Sequence, residues 1–400
     1  MKKIGQLFKL KGDPVIWAIC IILSCISLIA VYSSIGYTAI TKMNTTPTLA
    51  FVKHAFFIII AYAAALVVSN LNYQLFSRIS TILYLCTVAL IFLLMLTKSR
   101  WFHIPFIGSV QPSEWAKICA IIFTARTLTL HKDDYGSGKL FWISLLPMSL
   151  IAALIMPENL STALLVFAVG LIMMFLGGVR TKHILITIGI LIVIGSLSLT
   201  LSYKIFHSEL AVYARESPLK RAETWSNRID HWLNPDEASI TQENMAKMAI
   251  ADGGLLRMNI GGTVHARLMT QANNDFIYAI IVEETGSIVG IIIFLLYTIL
   301  FYRCIMLSYW SGRRYGGLLI IGLGTSIYLQ AIVHMCVCVG IIPVTGQTLP
   351  LISTGGTAYL LTGFSIGLIQ SVVRSTSKKK KSNMPQSAAD KDIQTHSLTS

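Results

Sequence analysis

Charge is scarce in this chain. Only 12% of its 400 residues are Asp, Glu, Lys or Arg, about half the share usual in soluble domains, and acidic residues are the scarcer sign, 18 against 32. That excludes the two or three soluble domains that the length would otherwise suggest. None of the nine histidines belongs to an HExxH pair, so a helix-borne histidine metal site is excluded. The cysteines (Cys20, Cys25, Cys86, Cys119, Cys304, Cys336, Cys338) lie in or beside apolar stretches with no zinc-pair spacing, and they read as core filler. No internal repeat of the transporter kind is visible. The basic residues are spread over short connections rather than gathered on a basic domain, which argues against a nucleic-acid partner.

What the chain has in abundance is apolar sequence: 54% hydrophobic residues and a mean hydropathy of +0.68. Ten stretches have the length of a membrane span, near 14–34, 50–70, 78–97, 113–130, 139–157, 160–178, 183–202, 275–302, 316–340 and 356–374. The expected fold is therefore an all-α polytopic membrane bundle over residues 14–374. Lys and Arg cluster in residues 1–13, in alternate short connections (Arg78, Lys132, Lys139, Arg180, Lys182, Arg303, Arg313, Arg314) and at Lys378–Lys381. By the positive-inside rule both termini then face the cytoplasm, and the net charge of +14 is matched to anionic membrane lipids. The first apolar run is not followed by a small-residue cleavage site and reads as an uncleaved helix.

One connection is long. Residues 203–274, between spans seven and eight, fall on the outer side and carry Arg221, Trp225, Arg228 and Trp232; amphipathic surface helices with interfacial tryptophans are expected there. The tail, 375–400, is basic and polar and reads as disordered.

The unusual polar residues converge on the outer side, which predicts one polar site built from several helix ends. Asp275 opens the eighth span, where a helix dipole would keep it ionised and where it could serve as a general base. Glu283 and Glu284 follow, Glu283 about 12 Å further along the axis of a continuous helix; both read as structural or relay groups. Glu114 and Lys117 stand at i, i+3 and can pair. Two readings of them are open: a self-neutralised pair that lets the helix enter the membrane, or a cation held for an anionic substrate. Ser353-Thr354-Gly355-Gly356-Thr357 reads as a tight turn or as a backbone nest for an anion.

Three blocks carry a resemblance: Gln111-Pro112-Ser113-Glu114 with Ala116-Lys117; Asp275-Phe276-Ile277-Tyr278-Ala279 leading to Glu283-Glu284-Thr285-Gly286; and Pro343…Gly346…Leu349-Pro350…Ser353-Thr354-Gly355-Gly356. They resemble the SEDS proteins, the shape, elongation, division and sporulation family, over residues 14–374. The resemblance implies ten spans and glycosyl transfer that polymerises lipid II, with a class B penicillin-binding protein and other division membrane proteins as partners. It also implies a multi-pass location in the bacterial inner membrane with the active site facing outward.

Asp275 takes the place of the family's essential acid. Glu114 with Lys117 takes that of a family-like Glu–Lys pair; these two, with Arg100, Lys53, Ser353, Gly355 and Gly356, are the candidate substrate contacts. The lipid pyrophosphate leaving group calls for Lys, Arg or a divalent cation such as Mg or Mn. Departures from the family pattern fall at Asn273, Asn274, Thr354 and Pro157-Glu158-Asn159. Val31-Tyr32-Ser33-Ser34 and Arg100-Trp101 look closer to the division type than to the elongation type. A lipid-precursor flippase and a non-enzymatic scaffold are the competing readings.

Overall fold

The computed structural model describes residues 12–41, 46–97, 102–104, 108–206, 220–234, 241–265, 269 and 272–382. Within them the chain runs through α1 (Pro14–Thr41), α2 (Pro47–Asn70) and α3 (Tyr73–Thr97), then a hairpin of β1 (Phe102–Ile104) and β2 (Gly108–Val110). Helices α4 (Pro112–Leu130), α5 (Gly138–Ile155), α6 (Leu160–Leu176) and α7 (Thr181–Phe206) follow. Next come α8 (Lys220–Leu233), α9 (Gln242–Gly253), α10 (Ala272–Asp275) and α11 (Ile277–Thr285). The chain closes with α12 (Ser287–Trp310), α13 (Arg314–Cys338) and α14 (Gly356–Ser382). Eight of these helices are long and apolar enough to cross a membrane, and α6 is a shorter apolar helix. They belong to a multi-pass membrane protein, in which α4, nineteen residues carrying Glu114 and Lys117, packs among these helices.

Local chemistry sets the helix starts. Pro occupies the first turn of α2 and α4, where its missing N–H is no loss. The side chains of Ser137 and Asn159 cap α5 and α6, accepting from Leu140 N at 3.1 Å and Thr162 N at 3.1 Å.

Three expectations are corrected. The eighth stretch, 275–302, is not one helix: the chain breaks at Phe276 and again at Gly286, whose φ of 88° favours glycine. The helix long and apolar enough to span begins at Ser287, so Asp275, Glu283 and Glu284 precede it in the chain. The axial spacing of Asp275 and Glu283 on a continuous helix lapses with it. Of the tail, residues 375–382 continue α14, and residues 383–400 lie outside the described residues. The long connection contains α8 and α9, as expected. Its tryptophans turn inward, however: Trp225 lines a cavity and Trp232 Nε1 donates to Gly340 O at 3.0 Å.

Two features hold the bundle together. Gly363 and Gly367 of α14 meet the backbone of α2 so closely that an added Cβ would lie 2.5 Å from Ala61 O and 2.7 Å from Ala65 O. Small residues at this four-residue spacing let membrane helices approach backbone to backbone. At the other end Asp13 caps α1, its Oδ1 accepting from Val15 N and Ile16 N, both at 3.1 Å. Its Oδ2 accepts from Arg303 Nε and Nη2 at 3.0 and 2.6 Å. Gln370 of α14 grips the Asp13 backbone on both sides, at 2.7 and 3.0 Å.

Candidate active site

At the end of the bundle where α4, α6 and α14 begin, a cavity of about 720 Å³ opens. Its walls come from four parts of the chain: Gln111 at the head of α4, Glu158–Ser161 and Leu164 at the head of α6, Trp225, Arg228 and Ile229 of α8, and residues 343–346 with Thr348. Asn274 and Asp275 complete it. Trp225, Arg228 and Ile229 share a helix face by their i, i+3, i+4 spacing, and that face is the one α8 turns to the cavity.

Asp275 sits where α10 ends and the chain kinks into α11. Burial pushes its carboxyl up to about 6, and the Arg228 guanidinium offsets this in part. The helix-dipole expectation is thus reversed, since Asp275 closes a four-residue helix rather than opening a long one. Arg228 Nη1 donates to Val344 O at 3.1 Å, which ties α8 to the 343–348 segment. Gly346, at φ 67°, passes near the carboxylate: an added Cβ would lie 3.7 Å from Asp275 Oδ2. The cavity therefore brings together two carboxylates, Asp275 and Glu158, and one arginine, Arg228.

The serine–threonine–glycine turn serves the Asp275 carboxylate from behind. Ser353 is buried; its Oγ accepts from Leu349 N at 2.7 Å and donates to Asn274 O at 2.8 Å. Thr354 donates through its N and Oγ1 to Asn273 O at 3.2 and 3.1 Å, and Oγ1 reaches Asn274 Oδ1 at 2.5 Å. Gly356 lies against the Phe57 ring, 2.7 Å from where its Cβ would be, and Gly355 faces Ala358. None of Ser353, Gly355 and Gly356 lines the cavity. The tight-turn reading is the one that matches: the segment clamps the backbone just before Asp275.

Glu114 and Lys117 do pair, at 2.8 Å, and Lys117 Nζ also donates to Gln330 Oε1 at 2.6 Å. Lys117 is buried and neither residue is among those lining the cavity. Gln330 Nε2 passes the connection on, donating to Thr348 O at 3.0 Å, and Thr348 does line the cavity. The ion pair therefore supports the cavity floor from within. Lys53 is exposed on α2 and does not line the cavity either; Arg100 lies outside the described residues.

Glu283 and Glu284 fasten a loop. Glu283 Oε1 accepts from Val264 N at 2.9 Å and contacts His265 Nδ1 at 3.0 Å. Glu284 Oε1 accepts from Ser33 Oγ and from Gly261 N, the latter at 3.2 Å, and burial raises its pKa. Arg228, Trp225 and Glu158 were missed as site residues. The amphipathic spacing on α8 was the available signal for the first two; Glu158 stood out only as a departure from the family pattern.

Leu160 and Leu164 belong to a second hollow as well, an apolar groove of about 580 Å³ between α5, α6 and α7. The polar cavity and the apolar groove thus share a wall. Among the described residues no group of three or more His, Cys, Asp and Glu could hold a metal ion.

The chain is similar to the "probable peptidoglycan glycosyltransferase FtsW" of Geobacter metallireducens, 27% identical over 373 residues that cover 90% of this chain and 94% of the relative. It is similar also to the stage V sporulation protein E of Bacillus subtilis, 27% identical over 382 residues, 92% and 98% of the two chains. In fold it matches a chain from a study of a peptidoglycan synthase complex (TM-score 0.69, 20% identity, 92% and 99% covered). It likewise matches the rod shape determining protein RodA of Thermus thermophilus (TM-score 0.62, 19% identity, 92% and 98% covered). The sequence model of the FtsW/RodA/SpoVE cell cycle proteins matches residues 13–378, and the chain belongs to that family.

Proposed function

We propose that the protein is a peptidoglycan glycosyltransferase of the division type, polymerising lipid II at the outer face of the bacterial inner membrane. The observation that carries this reading is that Asp275 and Arg228 line one polar cavity, which shares Leu160 and Leu164 with an apolar groove. A substrate with a sugar–pyrophosphate head and a prenyl tail needs both surroundings at once.

In the proposed step the acceptor sugar hydroxyl attacks the donor's anomeric carbon and its proton passes to the Asp275 carboxylate. The bond from that carbon to the pyrophosphate oxygen breaks, and the lipid pyrophosphate leaves with the electron pair. A carboxylate with a pKa near the working pH suits this role, and Arg228 stands where the leaving charge needs a cation. Ser353, Thr354 and Gly346 hold the carboxylate's position. A divalent cation such as Mg or Mn would be held chiefly by the substrate's own phosphates, with Glu158 of the cavity wall adding a carboxylate oxygen donor. When bound it would neutralise leaving-group charge.

The arginines and lysines around the opposite end support the outward orientation. The relatives named FtsW support the division type and, with it, a class B penicillin-binding protein as partner. The test is polymerisation of lipid II by the purified protein, alone and with that partner, with and without Mg or Mn, comparing wild type with Asp275→Asn. Glycan strands from wild type and none from a folded, monodisperse Asp275→Asn protein are expected. Equal strands from both would remove Asp275 from the chemistry.

A further inference from the structure

Between α9 and α10 the chain runs as a strap without helix or strand over residues 254–264, yet it is tightly pinned. Ser287 N donates to Gly254 O at 3.0 Å and Ile288 N to Leu255 O at 3.2 Å. Arg257 N donates to Thr285 O at 3.4 Å and Asn259 N to Glu284 O at 3.0 Å. Gly261 N reaches Ser33 Oγ at 2.9 Å, and Val264 N closes the strap on Glu283 at 2.9 Å. The seat is built for close approach: a Cβ on Gly286 would lie 2.5 Å from Leu255 O.

A backbone this well held normally buries its apolar side chains. Here they stay outside: Met258 is 93% exposed, Leu255 77%, Leu256 70% and Ile260 59%. The expense of presenting four large apolar groups at once points to a surface that is apolar where they stand.

The strap's position identifies that surface. Its hydrogen bonds go to Ser287 and Ile288, the first residues of the span α12. With 24 residues, α12 is roughly 36 Å long at its helical rise, a few ångströms more than a hydrocarbon core of about 30 Å. Its first turn therefore stands at the bilayer boundary. Ile288, Ile291, Ile292 and Leu295 of that helix are exposed, the lipid-facing flank of a membrane span. The strap extends that flank sideways at the same level.

We propose that residues 255–260 dock on the bilayer itself, with Leu255, Leu256, Met258 and Ile260 entering the edge of the acyl region. Because Glu283 and Glu284 fasten the strap to α11, and α11 follows directly on Asp275, this contact sets the height of the candidate site above the lipid.

The test uses the full chain in vesicles of phosphatidylethanolamine and phosphatidylglycerol. Cys25, Cys86 and Cys336 are replaced by serine, and a nitrobenzoxadiazole label is placed on a cysteine introduced at Met258 or, as reference, at Asp252. The expected result at Met258 is a blue-shifted emission, severalfold stronger quenching by lipids brominated near the glycerol end than by aqueous iodide, and the reverse preference at Asp252. Iodide quenching at Met258 equal to that at Asp252 would overturn the proposal. So would protection from both quenchers, which would mean that a protein surface, such as a second copy of this chain, covers the strap. Should the Met258 variant not purify as folded protein, the same label at Leu256 gives the same reading.

Discussion

Acid should switch the proposed reaction off near pH 6, well above the range of an ordinary aspartate. The perturbation acts on one group, Asp275, whose carboxyl is held at about 6 by burial, with Arg228 pulling it back down. As a general base it must be ionised, so the rate follows the ionised fraction. At pH 5 that fraction is about one tenth, whereas a carboxyl with the usual pKa of ~3.9 would be more than nine-tenths ionised. The acid limb of the pH–rate profile should therefore centre near 6 and fall about tenfold for each further pH step.

Arg228→Gln removes the opposing charge and should move the limb to higher pH, while Arg228→Lys should leave it nearly in place. The assay is the initial rate of lipid II polymerisation from pH 4.5 to 8 at substrate well below KM, so that the profile reports the substrate-free protein, with the folded state checked at each pH. The same perturbation has a sign in stability. A folded-state pKa above the unfolded one means that the ionised carboxylate destabilises the fold increasingly from pH ~4 to 6 and fully above that. Asp275→Asn should thus melt no lower than wild type at pH 7.5. A plateau that persists below pH 5, or a limb that moves down in Arg228→Gln, would refute the assignment.

Lys117→Met should leave the partly buried Glu114 without its cation and lower stability by about 1–3 kcal/mol, seen as a lower thermal midpoint in detergent. The pair removal Glu114→Gln/Lys117→Met should recover most of that loss. Gly367→Val places atoms where Ala65 O now sits and should cost about 1–3 kcal/mol through overpacking, again read as a thermal midpoint. Ser353→Ala strips Leu349 N and Asn274 O of their buried partner; it should cost about 1–3 kcal/mol and reduce the polymerisation rate, since the clamp behind Asp275 loosens.

The polytopic all-α fold was legible because a membrane span announces itself by length and composition alone, and eight of the ten expected stretches meet that measure in the structure. Asp275 was legible for a related reason: a carboxylate beside an apolar run stands out against its neighbours. The break at Gly286 was not read, although Glu283-Glu284-Thr285-Gly286-Ser287 interrupts the apolar run from Ile277 to Leu300; what turns that polar interruption into a break is the close approach of Leu255 to Gly286. Glu114 and Lys117 paired as their spacing required. Their service to the cavity floor depends on Gln330, 213 residues from Lys117, and no local pattern reports such a partner. Arg228 escaped for the same reason, its meaning set by where α8 lies against the 343–348 segment.

The tight crossing of α2 with α14 has a consequence for biogenesis. Helix α2 finds the neighbour it packs against most closely only once α14 (Gly356–Ser382) has been made, and the Asp13–Arg303–Gln370 junction likewise waits for residues far down the chain. Until then α2 must remain in the lipid with Ala61 and Ala65 uncovered, a face open to wrong neighbours or to a membrane chaperone. Chains cut short before Gly363 should therefore insert normally and yet be cleared by quality-control proteases, which recognise an unfinished bundle by that unpaired face.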